Sequence, residues 1–452
     1  MAARPALAGD LFVVKSGEDR YVLYAPLRRA VAAVNGAGAS VVSRYVTQGP
    51  ASVGAAGAAL IEALESQGLL TPQTERSPVF PPNYAFNPLE VTLFPTTRCN
   101  LRCRYCYADA GRRSMEMPWE VARAAIDLVV TNAGLLGSRK FTVGFHGGGE
   151  PTMAWSLMRQ AAEHAHARSE ETGLNVELFS ATNGLLNKEQ REYIAARFSS
   201  VTVSLDGPPD VQDFNRPTAS GRGSFEGVRR TLDYFNEVGF PFWLRATVTA
   251  STVDRMAEAV EYLHARFAVR ELHMEPAWQC GRCATTGEEA PAHADFVANF
   301  GRAKAAGRSL GVNVHYSGSR LDMLTSKFCA AAGDGFAVLP EGVATSCFEV
   351  TDLDDPRARI FHYGRYDGQT GKFAFDEERL RALRGLSVEH LPFCRDCFCK
   401  WHCAGDCLAK VFADSGSTEH RGSSRCELNR ALTLGAIEEL LGAAEHAPEG
   451  GI

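Results

Sequence analysis

Three cysteines stand within eight residues of the chain, in the order Cys99-x3-Cys103-x2-Cys106, with Tyr105 directly before the last of them. Iron–sulfur proteins usually bind each iron of a four-iron cluster through one cysteine thiolate. A close group of three cysteines therefore leaves one iron open for chemistry. A structural zinc ion instead prefers four ligands in two separated pairs, which this spacing does not supply. The pattern predicts a catalytic 4Fe-4S cluster.

Polar and glycine-rich segments follow several short apolar runs and could hold a bound cofactor. The segment 146–152 reads HGGGEPT, in which consecutive glycines let a ligand approach the backbone and Glu150 can accept a hydrogen bond from an ammonium group. Asn183 and Asp206 follow two further runs, although Asn-Gly and Asp-Gly are also common turns. His146 and His273 receive no role, because a packed histidine is the commoner outcome.

Six apolar runs alternate with helical stretches after residue 88, and this alternation predicts a parallel α/β sheet. Parallel barrels place their ligand sites at the carboxyl ends of the strands, which is where the polar segments stand. The predicted strands are 89–94, 141–145, 176–180, 201–205, 242–248 and 271–274.

The first 70 residues carry their own pattern. Runs at 11–14 and 21–24 flank a turn-rich stretch and predict a hairpin. Two helices are expected next, one at 39–45 and one that is opened by Pro50 and Ser52 and closed at Gly68. A strand-rich start before two helices suits a small winged-helix-like module. A cluster of prolines over 72–88 predicts a linker to the next domain.

A second group of cysteines lies after residue 310. Cys329 is followed by Gly342 and Cys347, and the later cysteines follow the spacing C-x2-C-x5-C-x3-C before a final one. Zinc sites often use C-x2-C pairs, so a zinc-bound scaffold protein stays open as an alternative. The pair Cys280 and Cys283 could consist of buried bystander thiols, a hydrogen-atom donor or a redox pair.

The first cysteine pattern and the glycine segment together resemble the signature of the radical SAM enzymes. The resemblance covers roughly residues 89–310 and implies a partial barrel of six (βα) units. It also implies that S-adenosylmethionine binds the open iron of the cluster at Cys99, Cys103 and Cys106 and is cleaved to a 5'-deoxyadenosyl radical. By position, the resemblance carries the cofactor contacts over to Tyr105, Gly148, Gly149, Glu150, Asn183, Ser204, Asp206 and Arg216.

The later cysteines resemble the SPASM extension of these enzymes, which carries two auxiliary 4Fe-4S clusters and brings the expected total to three. The resemblance implies one cluster held by Cys394, Cys397, Cys403 and Cys426, and another held by Cys329, Cys347 and Cys407. A further cysteine common six residues from the position of Cys329 is missing, since Met323 and Gly335 stand there. Cys280, Cys283, Cys399, a non-cysteine group or the substrate could replace it.

The domains that follow from these patterns are a peptide (leader) recognition module at 1–71, a linker at 72–88, the barrel at 89–310, the SPASM domain at 311–430 and a C-terminal helix and tail at 431–452. The N-terminal module resembles leader-peptide recognition domains, which bind a peptide by adding a strand to a sheet edge. A cap that only packs on the catalytic domain is the alternative.

Composition limits the classes of partner. The net charge of −6 and the pI near 6.1 predict neither a nucleic-acid nor a membrane partner. The first ten residues lack the apolar core of a signal peptide, and thirteen cysteines suit a reducing cytoplasm in which thiols serve as metal ligands.

The resemblance implies an enzyme that modifies a ribosomally made precursor peptide, by an oxidative intramolecular crosslink, with flavodoxin or ferredoxin as electron donor. Sulfatase-maturing relatives oxidise cysteine or serine to formylglycine, and they place an aspartate base directly after the cysteine that matches Cys347. Phe348 stands there in this chain and Glu349 follows it, which counts against that reaction. Glu349, Cys280 and Cys283 are the candidate catalytic residues. A peptide epimerase, a side-chain dehydrogenase and a non-enzymatic iron–sulfur carrier or sensor stay open.

Overall fold

The computed structural model describes residues 10–70, 84–417 and 419–445, and they form two compact units. The unit named here the sheet unit contains the described parts of Pro82–Ser317 and Cys329–Gly385. The terminal unit contains the described parts of Met1–Pro81, Gly318–Phe328 and Leu386–Ile452. Most of the predicted linker, residues 72–83, and the predicted tail, 446–452, lie outside the described residues.

The terminal unit begins with a three-stranded antiparallel sheet in the order β1-β2-β3. The predicted hairpin is confirmed, with Phe12 opposite Tyr24. The strand β3 was not predicted, because its sequence AVAAV is rich in alanine, which is uncommon in strands. The elements are β1 (Phe12–Lys15), β2 (Tyr21–Ala25), β3 (Ala30–Val34), α1 (Gly36–Gln48) and α2 (Ala55–Ser66).

The sheet unit contains one sheet of eleven strands. Its strands are β4 (Glu90–Leu93), β5 (Lys140–Phe145), β6 (Asn175–Thr182), β7 (Ser200–Ser204), β8 (Phe242–Val248), β9 (Glu271–Pro276), β10 (Asn313–His315), β11 (Ala337–Val338), β12 (Val343–Thr345), β13 (His362–Asp367) and β14 (Lys372–Phe375). Strands β4 to β10 are neighbours in chain order and all parallel, which confirms the α/β fold class and the six predicted strands.

The helices up to residue 310 connect the parallel strands, and one further helix follows each of β12 and β14. Their bounds are α3 (Trp119–Leu135), α4 (Trp155–Thr172), α5 (Lys188–Arg197), α6 (Pro209–Asn215), α7 (Phe225–Glu237), α8 (Met256–Phe267), α9 (Cys283–Thr286), α10 (His293–Leu310), α11 (Ala358–Phe361) and α12 (Glu377–Arg384). Helix α7 buries Phe225, Val228, Leu232 and Phe235, a spacing of three and four residues that puts one face on the core.

Two local features of the sheet unit concern the packing of β5 on β6 and the start of helix α5. Gly144 on β5 lies against the ring of Phe179 on β6, and a Cβ atom there would come within 2.1 Å of that ring. Helix α5 begins with a capping box, in which Asn187 and Gln190 satisfy each other's backbone N–H groups.

The strands after β10 extend the same sheet on its other side. β11 pairs in parallel with β4, and β12, β13 and β14 continue the sheet in antiparallel pairs. Residues 329–385 of the predicted C-terminal domain therefore lie in the sheet unit.

Three more helices complete the terminal unit: α13 (Lys400–Cys403), α14 (Leu408–Ser415) and α15 (Cys426–Glu445). Val22 and Tyr24 on β2 pack against Ile437 and Leu441 on α15. The opposite face of the small sheet, which includes Leu23, packs in a second core with α1 and α2. Within the described part of the chain, we find no helix with both the length and the apolar character that a membrane span requires.

Candidate functional site

The loop of Cys99, Cys103 and Cys106 follows β4 in the sheet unit. The backbone N–H of Leu101 points at the Sγ atom of Cys99 at 3.4 Å, and the N–H of Ala110 at the Sγ atom of Cys106 at 3.5 Å. Hydrogen bonds from backbone N–H groups stabilise the thiolate form of a sulfur, so these two contacts oppose the effect of burial.

None of the thirteen cysteines forms a disulfide bond. Burial raises the pKa of the Cys99 thiol to about 11 and that of Cys103 to about 12, and the neighbouring thiols add to both increases. Across the described ranges, no three His, Cys, Asp or Glu side chains converge on the position of a single ion. A four-iron cluster binds each thiolate to a different iron, so it needs three thiols that lie near one another. The charges of Cys106 and Cys99 both act on the Cys103 thiol, so the three thiols of the loop are near enough to fit such a cluster.

The glycine segment packs directly on the cysteine loop. The N–H of Glu150 donates to the carbonyl oxygen of Arg98 at 2.8 Å. A Cβ atom on Gly149 would lie 2.3 Å from the same oxygen, so only glycine allows this approach. The Tyr107 hydroxyl donates to the Gly147 carbonyl oxygen at 3.1 Å. The segments that the sequence pattern singled out separately are thus in contact.

Glu150 is buried, and burial raises its pKa. One of its oxygens accepts hydrogen bonds from the hydroxyls of Thr152 and Thr182, each at 2.8 Å, and the other accepts the N–H of Asn183 at 2.7 Å. The carboxylate therefore joins the glycine segment to the end of β6. Asn183 in turn directs its side-chain amide toward the Sγ atom of Cys99 at 3.9 Å.

Asp206 and Arg216 form a buried ion pair at 3.1 Å. Asp206 also accepts hydrogen bonds from the Tyr105 hydroxyl at 2.5 Å, the Asn215 amide at 3.1 Å and the N–H of Thr247 at 2.9 Å. Arg216 lies over the ring of Tyr105 and lowers the otherwise raised pKa of Cys103. The structure thus brings together three of the residues expected to contact the cofactor and attaches them to the cysteine loop.

A cavity of about 420 Å³ opens beside this loop. Its wall includes Tyr107, Gly148, Cys280 and Glu349. The wall also carries ion pairs, in which Arg113 contacts Asp352 at 3.0 Å and Asp354 at 3.6 Å, and Arg357 contacts Asp355 at 2.7 Å. A polar chain segment can therefore reach the neighbourhood of the cysteine loop through a wall of hydrogen-bonding groups.

The two cysteines of the 280–283 pair have different surroundings. Cys280 lines the cavity, whereas Cys283 is buried and directs its thiol to the carbonyl oxygen of Glu288 at 3.1 Å. The two thiols therefore differ in their access to the cavity, and a redox role for the pair stays a prediction.

The two histidines at strand ends are packed side chains. His146 lies between the rings of Phe94 and Phe348, and burial lowers its pKa to about 4. His273 contacts Glu275 at 2.7 Å. Ser204, the remaining predicted contact on this side, ends β7 and is half-buried.

The terminal unit gathers a second group of cysteines. Burial raises the pKa of Cys403, and the charges of Cys394, Cys426 and Cys397 add to the increase, so the four predicted ligands are close neighbours. Asn429 donates to the Sγ atom of Cys403 at 3.2 Å, and the N–H of Ser423 donates to the Sγ atom of Cys426 at 3.2 Å. Four thiols with such donors fit a fully ligated cluster.

Cys399 belongs to the same group. A hydrogen bond from Cys399, together with the guanidinium of Arg430, lowers the pKa of Cys397 to about 6. The other predicted set is divided by chain region: Cys329 and Cys347 lie in the sheet unit, and Cys407 lies in the terminal unit directly before α14. That ligand set stays a prediction.

Sequence reasoning assigned no role to Tyr107, Asn215 or Arg282, although all three hold the site together. Tyr107 directly follows the last cysteine of the motif, and Arg282 stands between Cys280 and Cys283, so position offered a signal for both. Asn215 could not have been found, because its contact with Asp206 depends on the folded loop.

Comparisons with known proteins match this geometry. Residues 93–263 match the family model of the Radical SAM superfamily. The serine-type anaerobic sulfatase-maturating enzyme of Klebsiella aerogenes is 24% identical over 378 residues, which cover 78% of this chain and 86% of that relative.

Two solved structures share the fold. Native anSMEcpe with bound AdoMet and Cp18Cys peptide has a TM-score of 0.61 at 17% identity, covering 80% of this chain and 100% of that one. Streptococcus suis SuiB bound to precursor peptide SuiA has a TM-score of 0.53 at 15% identity, covering 93% and 99%.

Proposed function

We propose that this chain, whose residues 93–263 match the Radical SAM superfamily, is a maturase for a ribosomally made peptide. The single observation that carries the proposal is the polar cavity beside the cysteine loop, whose wall includes Tyr107 and Gly148 of the two segments that would hold the cofactor. Relatives in the comparisons support the substrate class, since one matures sulfatases and another is bound to a precursor peptide.

We propose that Cys99, Cys103 and Cys106 hold a 4Fe-4S cluster and that S-adenosylmethionine binds its open iron. When bound, these groups supply a 5'-deoxyadenosyl radical that takes a hydrogen atom from an unactivated carbon. Glu150, Asn183 and the Asp206–Arg216 pair fix the loops around that position. Because Glu150 is bonded to Asn183 and Asp206 to Arg216, each pair holds its geometry while the substrate enters and leaves.

The proposed reaction is an oxidative crosslink within the peptide. When two of its atoms become bonded, the substrate loses one hydrogen atom to the 5'-deoxyadenosyl radical, one proton and one electron. Glu349 on the cavity wall is our candidate for the proton acceptor. We propose that the electron passes to auxiliary clusters, one of them held by Cys394, Cys397, Cys403 and Cys426, and from there to an external carrier. Three clusters are expected in total.

Formylglycine formation is less well supported. The position directly after Cys347 holds Phe348, whose ring packs against Phe94 and His146 and has no group that accepts a proton. Epimerisation is a second candidate, because Cys280 lines the cavity and a thiol there could return a hydrogen atom to a peptide radical. Crosslinking removes two hydrogen atoms from the peptide, whereas epimerisation leaves its mass unchanged.

The N-terminal module is proposed to bind the leader part of the peptide. Among the described residues, β1 pairs only with β2, so its other edge is free to accept an added strand. A cavity of about 440 Å³ lies along this edge, between residues 11–15 and the segment that contains Arg395, Asp396 and Phe398. We expect a cytoplasmic enzyme, since reduced thiols are needed to assemble the clusters.

The test is co-expression of the protein with each short peptide encoded beside its gene, followed by mass spectrometry. The proposal predicts that one peptide loses two hydrogen atoms with the native protein and none with Cys99→Ala. A modified peptide of unchanged mass, with exchange of hydrogen at one α-carbon, would replace the crosslink with epimerisation. Cofactor cleavage without change in any peptide would contradict the peptide substrate.

A further inference from the structure

Residues 280–283 (sequence CGRC) contain two cysteines, and the arginine between them contacts the cysteine loop that follows β4. Arg282 Nη1 donates to the carbonyl oxygen of Cys103 at 3.1 Å, and Nη2 donates to the carbonyl oxygen of Ala110 at 2.6 Å. Its Nε atom donates to the carboxylate of Asp109 at 2.9 Å. One guanidinium thus holds three points of the cysteine loop.

The backbone of the same segment adds to this contact. The N–H of Arg282 donates to the carbonyl oxygen of Cys106 at 2.9 Å, and the Thr286 hydroxyl donates to that of Arg104 at 2.8 Å. Gly281 has φ of +54°, and a Cβ atom there would lie 2.4 Å from the carbonyl oxygens of both Cys106 and Tyr107. Glycine is required because the two backbones touch.

The direction of these bonds has an electrostatic consequence. Arg282 takes up the carbonyl oxygens of Cys103 and Ala110, while N–H groups of the loop point at the Sγ atoms of Cys99 and Cys106. Hydrogen bonds to sulfur and nearby positive charge stabilise the more negative, reduced state of an iron–sulfur cluster. Arg282 is only 12% exposed, so water screens its charge weakly.

We infer that Arg282 is the positioning residue of the cysteine loop: it fixes the geometry of the thiolates and raises the reduction potential of the cluster that they hold. The cysteines beside it are not ligands of that cluster. Cys283 belongs to a small apolar core with Cys103, Tyr105 and Ala277. The inference holds for any substrate, so it stands apart from the proposed peptide modification.

The matched control is Arg112, which reaches the same Asp109 at 3.9 Å from the same loop but is 68% exposed. We would prepare Arg282→Met, Arg282→Lys and Arg112→Met, reconstitute each anaerobically, and measure iron release to a chelator and the midpoint potential from the electron paramagnetic resonance signal of the reduced cluster. Loss of partners outside the ligand set costs about 10- to 100-fold in metal affinity.

The expected result for Arg282→Met is iron release faster by about that factor and a midpoint potential shifted to more negative values. Arg282→Lys keeps the charge but cannot bridge three groups, so it restores part of the potential and little of the iron retention. Arg112→Met behaves as the native protein. If Arg282→Met fails to fold, the lysine variant alone decides the question by the same two readouts.

Two results would overturn the inference. One is an Arg282→Met or Arg282→Lys protein whose iron release and potential match those of Arg112→Met. The other is loss of the cluster of the cysteine loop in Cys280→Ala, because that thiol would then be a ligand in its own right.

Discussion

Both units bury an aspartate–arginine pair beside a group of cysteines, but the two pairs are partnered differently. In the sheet unit, Asp206 keeps three hydrogen-bond donors besides Arg216. In the terminal unit, Asp406 contacts Arg425 at 3.3 Å and accepts one further hydrogen bond, from the Ser423 hydroxyl at 2.9 Å. The first pair joins several loops of a site, whereas the second closes a short local segment.

The two cysteine groups also differ in whether their neighbours come from several loops or from one local segment. The loop after β4 offers three thiols, and neighbouring strand ends supply polar groups around them. The terminal unit offers five mutually close cysteines on a segment of about 30 residues, each within reach of another thiol or a hydrogen-bond donor. We interpret the first group as an open cluster site for chemistry and the second as a closed one for electron transfer.

The largest expected effect on activity comes from removing one predicted cluster ligand from each cysteine group. Cys99→Ala should lower formation of 5'-deoxyadenosine from S-adenosylmethionine by more than about 100-fold, a larger loss than removal of an outer partner produces. Cys403→Ala should leave slow cofactor cleavage intact while abolishing peptide product. Chromatography of 5'-deoxyadenosine, with iron content as the control, distinguishes the two; equal loss in both variants would contradict the assignment.

The buried pairs sharpen the comparison at the level of stability. Removing one partner of a buried ion pair costs about 3–5 kcal/mol, because the other charge is left without compensation. Arg425→Met should lie near the upper end of that range, since among the described residues Asp406 would keep one side-chain hydrogen bond, from the Ser423 hydroxyl. Arg216→Met should lie near the lower end. Native-state hydrogen exchange, followed separately in each unit, measures both; the reverse order would mean that partner count does not set the cost.

Two adjacent glycines test how closely the sheet-unit site is packed. A Cβ atom on Gly149 would meet the carbonyl oxygens of Arg98 and Thr96 at 2.3 and 2.6 Å, whereas one on Gly148 would come only within 3.3 Å of Thr351. Gly149→Ala should therefore cost about 1–3 kcal/mol and reduce cluster incorporation. Gly148→Ala serves as the matched control in thermal unfolding. Similar behaviour of the two variants would argue against tight contact between the glycine segment and the cysteine loop.

Acidification should produce the smallest effect. The pKa of His146 falls from 6.5 to about 4 on folding because of burial, so the unfolded chain binds a proton first as the pH falls. Stability is then lost below about pH 6.5, by about 1 kcal/mol between pH 8 and pH 6. His146→Phe should reduce this slope in denaturant unfolding of the sheet unit. An unchanged slope would show that other groups dominate.

The barrel strands were predictable because apolar runs alternate regularly with helical stretches in the sequence. Strands without such a regular pattern were not predicted. The six strands followed from apolar runs, and the hairpin of β1 and β2 from its turn. Strand β3 was not predicted because its sequence is rich in alanine, which is uncommon in strands. Strands β11 to β14 were not predicted either. β11 has two residues and β12 has three, which is too short for a recognisable strand pattern.

The residues of the site also divide into those that the sequence predicts and those that it does not. Cysteine spacing pointed to Cys99, Cys103 and Cys106 because ligand chemistry demands that residue type. The role of Arg282 could not be predicted, because it depends on carbonyl oxygens 172 to 179 residues away in the chain. A sequence reports which side chains are present, whereas backbone acceptors become visible only in the fold.

The most direct measurement is electron paramagnetic resonance of the reduced, reconstituted protein with and without S-adenosylmethionine. The native protein and Cys403→Ala should both show a signal that S-adenosylmethionine changes, because the open iron lies in the cysteine loop of the sheet unit. A variant with Cys99, Cys103 and Cys106 all replaced by alanine should keep a signal from the terminal unit that the cofactor leaves unchanged. A cofactor response in that triple variant, or none in the native protein, would contradict the assignment of the open iron to the cysteine loop.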